Sequence, residues 1–285
     1  MGTVPTRRPG QSSALTASRH VLRRWISLRP GVYLPLARWK NDHTALGEQT
    51  ELLVDGFTRS AGTFAAIAFQ FAQNDHVRVA HHMHAAAAMV MAARRGVPAL
   101  LTVREPEPTI LSAAVREPGI PLTQWLKTYV AFYERIRPFR SGFVVGAFEE
   151  VTTDLGAVIR RVNERFGRAF RSFEHTEQNV EAVFALIDER AEGPPWQPHL
   201  NRFVSGLISL DQYRAATERY RLEGRRPAIP ELRVQRPTAE RRAAKEELQA
   251  AYRGPSLAPL RAAAERAYAG LASPAPGDHR SEGRG

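Results

Sequence analysis

Short apolar runs alternate with helix-length segments through the first half of this 285-residue chain, and this alternation constrains its fold most strongly. Apolar runs of about four to eight residues are typical of strands buried in a parallel sheet, whereas longer periodic segments indicate helices. Strands are predicted over residues 51–57, 77–80, 99–103 and 143–148. Helices are predicted over residues 63–72, 85–95, 109–116, 122–136 and 154–166, the last one ended by Gly167.

Strand signals vanish after about residue 177, and helices dominate from there to the end of the chain. They are predicted over residues 177–192, 238–252 and 257–271. We therefore expect an α/β fold of three layers, in which a parallel sheet is covered on both faces and helical C-terminal additions follow. The predicted boundaries are a basic, partly flexible N-terminal arm over 1–45, the α/β domain over 46–272 and a disordered tail over 273–285.

The composition restricts the chemistry that the chain can perform. It has no cysteine, which excludes disulfides, thiolate metal ligands and a thiol nucleophile. The formal charge is +11, yet the only lysines are Lys40, Lys127 and Lys245, so the arginine content looks partly like a genome-wide compositional bias. The charge therefore favours anionic ligands in general and is not taken as a sign of nucleic-acid binding.

The N-terminal segment gives no signal for export or membrane insertion. No apolar run approaches the roughly 20 residues that span a bilayer, and Arg7-Arg8 is not followed by an apolar segment. We expect a cytoplasmic protein without stable membrane insertion.

A loop rich in small residues lies between the first predicted strand and its helix, at residues 55–64. Small residues let backbone N–H groups approach an anion, and the N-terminus of the helix adds a favourable dipole. The spacing and the lysine of a Walker A motif are absent, which disfavours ATP or GTP phosphotransfer. The alternative is an ordinary turn with a surface arginine, Arg59.

A second segment places Arg104 at the carboxyl end of the strand at 99–103, where ligands bind in open α/β sheets. Ser112 follows eight residues later and faces back from the next helix. The alternative is that Arg104 pairs with Glu105 or Glu107.

Together the two segments resemble the sulfotransferases that use 3′-phosphoadenosine-5′-phosphosulfate (PAPS). The stretch Thr58-Arg-Ser-Ala-Gly-Thr-Phe64 is similar to the family's 5′-phosphosulfate loop, and Val103-Arg-Glu-Pro106 with Ser112 is similar to its 3′-phosphate site. Residues 144–151 and Phe166-Gly167 extend the likeness, which covers about residues 52–167. The resemblance implies a P-loop-like core. It also implies that Arg59, Ser60, Ala61, Gly62, Thr63, Phe64, Arg104 and Ser112 bind PAPS.

The loop departs from the family pattern at three places. Thr58 replaces a proline, Ala61-Gly62 replaces Gly-Thr, and Arg59 stands where the best-known cytosolic members have lysine. Arginine keeps the fixed charge, and its fork of donors suits phosphate or sulfate oxygens. We therefore expect the three departures to affect the rate of transfer and the class of acceptor more than the binding of the nucleotide.

Histidines cluster after the second strand, at His81, His82 and His84. No acidic or sulfur partner has metal-ligand spacing here, so no metal site is predicted. The resemblance implies a histidine base after this strand, and His82, 22 residues before Arg104, is the first candidate; His84 is the reserve and Glu149 a third. The alternative for each histidine is a neutral side chain that packs or caps, which we prefer for His81.

Arginines also precede the helix predicted at 238–252. The resemblance implies that Arg236 or Arg241 closes the nucleotide site against the 3′-phosphate, whereas the alternative is a solvated helix start. Trp125, Tyr129 and Tyr133 recur at helical spacing, which indicates a buried face and not an acceptor pocket.

The sequence thus predicts transfer of a sulfuryl group from PAPS to a hydroxyl or amine of an unknown small-molecule or glycan acceptor, without a metal. One alternative is a kinase-like P-loop-fold transferase that uses ATP and Mg²⁺. Others are a non-catalytic nucleotide-binding protein and a nucleic-acid binder, and the last is disfavoured because arginines and aromatics do not interleave. The sequence gives no indication of oligomeric state.

Overall fold

A four-stranded parallel sheet lies at the centre of the computed structural model, which describes residues 14–41, 43–191, 196–222 and 238–272. The strands are β1 (Leu52–Gly56), β2 (Val79–His81), β3 (Ala99–Val103) and β4 (Val144–Ala147), in the order β2-β1-β3-β4. All three pairings are parallel, with Leu53 opposite Ala99 and Leu100 opposite Val144. The predicted α/β class with a parallel sheet is confirmed.

Thirteen α-helices accompany the sheet in the described residues. They are α1 (Ala14–Ser27), α2 (Pro30–Asn41), α3 (Gly62–Ala72), α4 (Ala86–Arg95), α5 (Pro106–Arg116), α6 (Leu122–Ile136), α7 (Phe148–Thr153), α8 (Leu155–Phe166), α9 (Glu177–Ala191), α10 (Trp196–Val204), α11 (Leu210–Leu222), α12 (Ala239–Arg253) and α13 (Ala258–Ala272). Asp154 caps α8 by accepting from the Ala157 N–H, and Gly167 ends it in the left-handed conformation. Helix α5 begins three residues before its predicted start, because Pro106 occupies its first turn, where no N–H is needed.

Apolar side chains that alternate along the strands cover both faces of the sheet. Leu52, Val54 and Leu100 pack on one face with α3, α8, α9 and α10. Leu53 and Leu101 pack on the other face with α4, α5, α6 and α13. Because both faces are covered, β1 and β3 are buried along their whole length, which is compatible with the predicted three layers.

The N-terminal arm contributes two helices, α1 and α2, that the sequence pattern did not reveal. His20 Nε2 lies 2.8 Å from Thr128 Oγ1 and attaches α1 to α6. Tyr33 Oη donates to the Met83 carbonyl oxygen at 2.8 Å and holds α2 over the loop after β2. The start of the arm, residues 1–13, and the predicted tail, 273–285, lie outside the described residues.

None of the helices in the described ranges combines the length and the apolar character that crossing a bilayer requires.

The loop after β1 packs directly on β3, because Gly56 approaches Thr102 more closely than a residue with a side chain could. A Cβ atom on Gly56 would lie 2.3 Å from the Thr102 carbonyl oxygen and 2.4 Å from its Oγ1. Ser60 Oγ donates to the Phe57 carbonyl oxygen at 2.6 Å and lies 2.9 Å from Thr102 Oγ1. The close contact of Gly56 with Thr102 and the hydrogen bond between Ser60 and Thr102 therefore determine where the loop lies on β3.

Replacing Gly56 by alanine should lower the free energy of unfolding by about 1–3 kcal/mol, because the added methyl group forces β1 and β3 apart. Urea unfolding measures the change. The matched control is Gly31→Ala in α2, where a Cβ atom meets nothing within 4 Å; this change should raise the stability by about 0.5–1 kcal/mol, the helix preference for alanine. Equal stability of Gly56→Ala and the native chain would contradict the close approach.

Candidate functional site

A cavity of about 560 Å³ opens at the carboxyl ends of the strands, and residues that follow all four strands line it. Arg59 and Thr63 follow β1, His82 and His84 follow β2, Arg104 follows β3 and Phe148 follows β4. Successive crossover helices leave this edge toward opposite faces of the sheet, α3 on one side and α4 on the other. Ligands of open α/β sheets bind at such a switch point.

Positive charge dominates the lining of this cavity. The cations are Arg59, Arg104, Arg116, Arg190, Arg241, Arg242 and Lys245. Among the lining residues in the described part of the chain, the one carboxylate is Glu117. Such an imbalance in a concave site with low-dielectric walls concentrates a positive field, which attracts anions.

Backbone strain is concentrated at the same place. Among the described residues, the non-glycine residues with a positive φ are Arg59, Ala61, His82 and His84, at 70°, 69°, 58° and 47°. All four line the cavity. A side chain in the left-handed region costs about 1–2 kcal/mol, so the surrounding structure holds both loops in conformations that they would not adopt alone.

The predicted phosphate loop leads directly into α3. Ala61, Gly62, Thr63 and Phe64 line the cavity, whereas the Ser60 side chain is buried and bonded to Phe57 and Thr102. No side chain in the described residues caps the N-terminus of α3. The N–H groups of its first turn therefore stay available to an anion.

Ser112 joins the loop to the C-terminal helices. Arg59 Nε donates to Ser112 Oγ at 2.9 Å, and Arg241 donates to the same oxygen at 3.3 Å. Ser112 itself is buried in α5, whereas Arg241 comes from the first turn of α12. Three predicted site residues are thus in contact. Arg236, the other predicted arginine of this segment, lies outside the described residues.

Arg104 is held with its guanidinium at the cavity. The guanidinium carbon lies 3.7 Å from the centre of the Phe148 ring, a cation–π contact, and Nη1 donates to the Arg59 carbonyl oxygen at 3.3 Å. The Tyr129 hydroxyl fixes the Arg104 backbone by donating to its carbonyl oxygen at 2.7 Å. Glu107, one alternative partner, instead accepts from Arg253 at 2.9 Å.

Within the part of the chain that the structure describes, two guanidinium nitrogens at this site are buried without a hydrogen-bond partner. Arg104 Nε and Arg190 Nε have no hydrogen-bond partner within the described residues. A buried N–H of a charged group that lacks an acceptor is costly, and native proteins satisfy nearly all of them. Both nitrogens belong to side chains that line the cavity, so an anion there would supply acceptors.

Burial, and then the neighbouring cations, lower the pKa values of these basic groups. Burial and then the charges of Arg241, Arg116 and Arg104 lower the pKa of Arg59 to about 9. Burial and then the Arg116 charge lower the pKa of Arg190 to about 10. Burial also lowers the pKa of Lys245, with smaller effects from Arg104, Arg241 and Arg59. These shifts mean that burial, with a smaller effect of the neighbouring positive charges, disfavours the charged forms of Arg59, Arg190 and Lys245.

His81 and His82 belong to a buried hydrogen-bonded chain. His81 Nε2 lies 3.0 Å from Ser205 Oγ, the two Nδ1 atoms lie 2.5 Å apart, and His82 Nε2 lies 2.9 Å from Thr63 Oγ1. Burial, with a smaller effect of the Arg190 charge, lowers the pKa of His81 to about 3 and that of His82 well below its usual value. Both rings are therefore neutral near pH 7, and both nitrogens of each ring are engaged.

His84 has a different environment. Its Nδ1 lies 3.0 Å from the Gly56 carbonyl oxygen, which can only accept, so Nδ1 carries a proton. Asp55, buried at the end of β1, accepts from the His84 backbone N–H at 2.9 Å and lies 3.7 Å from Nδ1. Burial raises the pKa of Asp55, and His84 and backbone N–H groups oppose the rise. In the neutral ring, Nε2 stays unprotonated beside the cavity.

Sequence reasoning missed four lining or positioning residues. Arg116 lies one helical turn after Ser112, a spacing that could have been noticed, and Asp55 is a charged residue in an otherwise apolar strand. Arg190 in α9 and Lys245 in α12 carry no local signal, because tertiary packing alone brings them to the strand ends. Trp125, Tyr129 and Tyr133 are buried, as their spacing predicted.

A second cavity, of about 640 Å³, lies on the other side of Arg242 and Lys245. Glu105, Glu107, Glu246 and Glu265 line it. Its carboxylates would repel a polyanion, so the cavity at the strand ends is the better candidate for a phosphorylated ligand.

Comparisons with known proteins find no significant match to a protein-family model, to a curated protein or to a solved structure.

Replacing Arg190 by methionine should raise the free energy of unfolding by about 1 kcal/mol in the absence of anions, because a buried charge with an unsatisfied nitrogen is removed. The same change should shrink the stabilisation that pyrophosphate confers on the native chain, since a ligand that binds only the folded state raises its stability. Urea unfolding with and without pyrophosphate measures both effects. Arg202→Met, an exposed change on α10, is the control and should alter neither. A destabilised Arg190→Met that keeps the full pyrophosphate effect would contradict the assignment.

Proposed function

We propose that this chain transfers a sulfuryl group from PAPS to a hydroxyl or amine of an acceptor, on a core of P-loop-like type. The observation that carries the proposal is the convergence of seven cations, with one carboxylate among the described lining residues, at the carboxyl ends of four parallel strands. The resemblance of residues 58–64 and 103–112 to PAPS-binding segments supplies the identity of the anion.

Two adjoining groups of anion-binding residues line the cavity. One group comprises the loop with Arg59 and the uncapped first turn of α3. The other comprises Arg104, Ser112 and Arg241, which come from β3, α5 and α12. PAPS carries a 5′-phosphosulfate and a separate 3′-phosphate, whereas ATP carries all of its phosphates at the 5′ end. The two groups are in contact, since Arg59 donates to Ser112 at 2.9 Å, so the support for PAPS over ATP comes from the resemblance of residues 103–112 to a 3′-phosphate site.

Arg104 is suited to the 3′-phosphate. Phe148 orients the planar guanidinium, and the buried Nε lacks a protein acceptor within the described residues. A phosphate would provide oxygens in the geometry that the donor fork prefers. Arg241, which contacts Ser112 from α12, would approach the same phosphate and close the site, the role that the resemblance implies for it.

Arg59 and the N–H groups of α3 are suited to the leaving group. In sulfuryl transfer the acceptor oxygen or nitrogen attacks sulfur, the bond between sulfur and the bridging oxygen breaks, and negative charge develops on the departing 5′-phosphate. A fixed cation and backbone donors aimed at that charge stabilise the transition state. The products are the sulfated acceptor and adenosine 3′,5′-bisphosphate.

The acceptor must also lose a proton, and the hydrogen bonds favour His84 over His82 as the base. Both nitrogens of His82 are engaged, and its lowered pKa makes it a weak proton acceptor. His84 holds its proton on Nδ1 against Gly56, so Nε2 can take the acceptor's proton at the cavity. Asp55 is the positioning residue that fixes the backbone of His84. This order reverses the one that sequence spacing suggested.

Adenosine 3′,5′-bisphosphate should bind much more tightly than AMP, and Arg104→Ala should abolish most of that preference. A charge-assisted contact contributes about 1.5–3 kcal/mol, or about one to two decades of affinity. Isothermal titration calorimetry measures the four affinities, and Arg202→Ala is the control because it changes the net charge equally on α10.

Equal binding of the two nucleotides by the native chain would contradict the 3′-phosphate assignment. Tighter binding of ATP than of adenosine 3′,5′-bisphosphate, with turnover that requires Mg²⁺, would favour the kinase-like alternative.

His84→Ala should lower kcat for sulfuryl transfer by about 10²–10⁴-fold and leave nucleotide affinity nearly unchanged, because a proton acceptor is lost and the anion contacts are kept. The measurement is transfer from labelled PAPS to a panel of phenols, alcohols and amines. Added imidazole should restore part of the activity of His84→Ala. A larger loss in His82→Ala, with normal turnover in His84→Ala, would return the role of base to His82.

A further inference from the structure

Exposed large hydrophobic side chains are confined to one part of the described chain, the two N-terminal helices. They are Leu15, Val21, Leu22 and Trp25 on α1 and Val32, Leu36 and Trp39 on α2. Trp39 is 87% exposed and Leu15 is 73% exposed. Single exposed hydrophobic residues are ordinary, but a concentration of seven on two adjacent helices marks an interaction surface.

The exposed residues of each helix recur at helical spacing. On α1, seven positions separate Leu15 from Leu22 and three separate Leu22 from Trp25. On α2, four positions separate Val32 from Leu36 and three separate Leu36 from Trp39. The other side of α1 packs on α6, where His20 contacts Thr128. The other side of α2 is buried at Leu34. Helix α1 therefore packs on α6 through polar contacts of His20 and Arg24, α2 packs through Leu34, and each helix leaves an apolar face exposed.

The charge of the same segment has one sign. Residues 1–41 contain seven arginines and one lysine and no aspartate or glutamate. Arg19 and Arg23 are exposed on α1, and Lys40 is exposed near the end of α2, beside Trp39. Most of the formal charge of +11 therefore resides in the segment that carries the exposed apolar side chains.

We propose that α1 and α2 bind the surface of an anionic lipid bilayer, with their exposed apolar side chains between the headgroups. Basic residues beside tryptophan and leucine are the composition of helices that lie in the membrane interface. The two helices have 14 and 12 residues, shorter than the roughly 20 that span a bilayer. The geometry thus fits attachment to the surface.

Charge complementarity favours an anionic bilayer over a second copy of the chain or a nucleic acid as the partner of this surface. A symmetric pair of chains would place this patch against itself, so that arginines would face arginines without any carboxylate in residues 1–41 to pair with them. Nucleic acid would satisfy the arginines and leave the leucines and valines in water. An anionic bilayer satisfies both kinds of side chain.

The test uses the full chain and sucrose-loaded vesicles of phosphatidylcholine alone or with phosphatidylglycerol. We expect cosedimentation with the anionic vesicles and little with the neutral ones. Trp25 and Trp39 are exposed, whereas Trp125 and Trp196 are buried, so a blue shift of tryptophan emission reports insertion of the first two. A variant with Leu22, Trp25, Leu36 and Trp39 each changed to serine should lose both signals.

Charge is tested separately by matched variants. Arg19→Gln with Arg23→Gln should weaken binding to the anionic vesicles by at least about tenfold, because two cations at the surface are lost. Arg168→Gln with Arg202→Gln removes the same charge from exposed positions elsewhere and should change binding little. Circular dichroism and urea unfolding confirm that each variant is folded.

Several results would overturn the proposal. Absence of cosedimentation with anionic vesicles at low salt would remove the membrane as the occupant. Equal weakening by both pairs of arginine changes would mean that net charge, and not this surface, attracts the vesicles. A dimer in sedimentation velocity that the four serine changes dissociate would make a second copy the occupant.

Discussion

The contact between the first loop and the third strand positions the rest of the site. Gly56 lets β1 approach Thr102 closely, and Ser60 reaches the same threonine through its hydroxyl. This contact fixes the chain just before Arg59, whose carbonyl oxygen accepts from Arg104 and whose side chain donates to Ser112. Arg59, Arg104 and Ser112 therefore come together because Gly56, without a side chain, lets the end of β1 pack directly on Thr102. A shift of a fraction of an ångström here would move the loop away from its partners.

The same arrangement imposes an electrostatic cost that the remainder of the fold must offset. Cations with lowered pKa values gather around one cavity, and four non-glycine residues beside it have left-handed backbones. Stability comes from the two apolar layers on either side of the sheet, one of which also contributes Ala61, Phe64, Phe184 and Ile187 to the lining of the cavity. Functional sites commonly hold strain and like charges in this way, because preorganised groups need not rearrange when a ligand arrives.

The sequence predicted those parts of the fold and site that depend on local pattern. The strands, most helices of the α/β region and the cap at Gly167 follow from apolar period and glycine placement. Arg104 and Ser112 were predicted together because their segment resembles a 3′-phosphate site, since the strand end alone equally allowed an ion pair of Arg104 with Glu105 or Glu107. Arg190 was missed because α9 reaches the cavity only through tertiary packing. The choice between His82 and His84 as the base depends on their hydrogen bonds to Thr63 and Gly56, which the spacing of residues does not encode. Helices α1 and α2 were missed because most of their large apolar residues face solvent, and α1 packs on α6 through polar side chains.

Ser112 gives the cavity a property beyond static charge. One hydroxyl oxygen accepts from Arg59 in the first loop and from Arg241 at the start of α12. Arg59 and Arg241, which are separated by more than half of the sequence, therefore share one acceptor atom. An anion that drew one of them away would change the hydrogen bonding of the other, so occupancy of the loop and attachment of α12 would be thermodynamically linked. Linkage of this kind is reciprocal: whatever tightens or loosens α12 changes the affinity of the loop for its anion by the same factor.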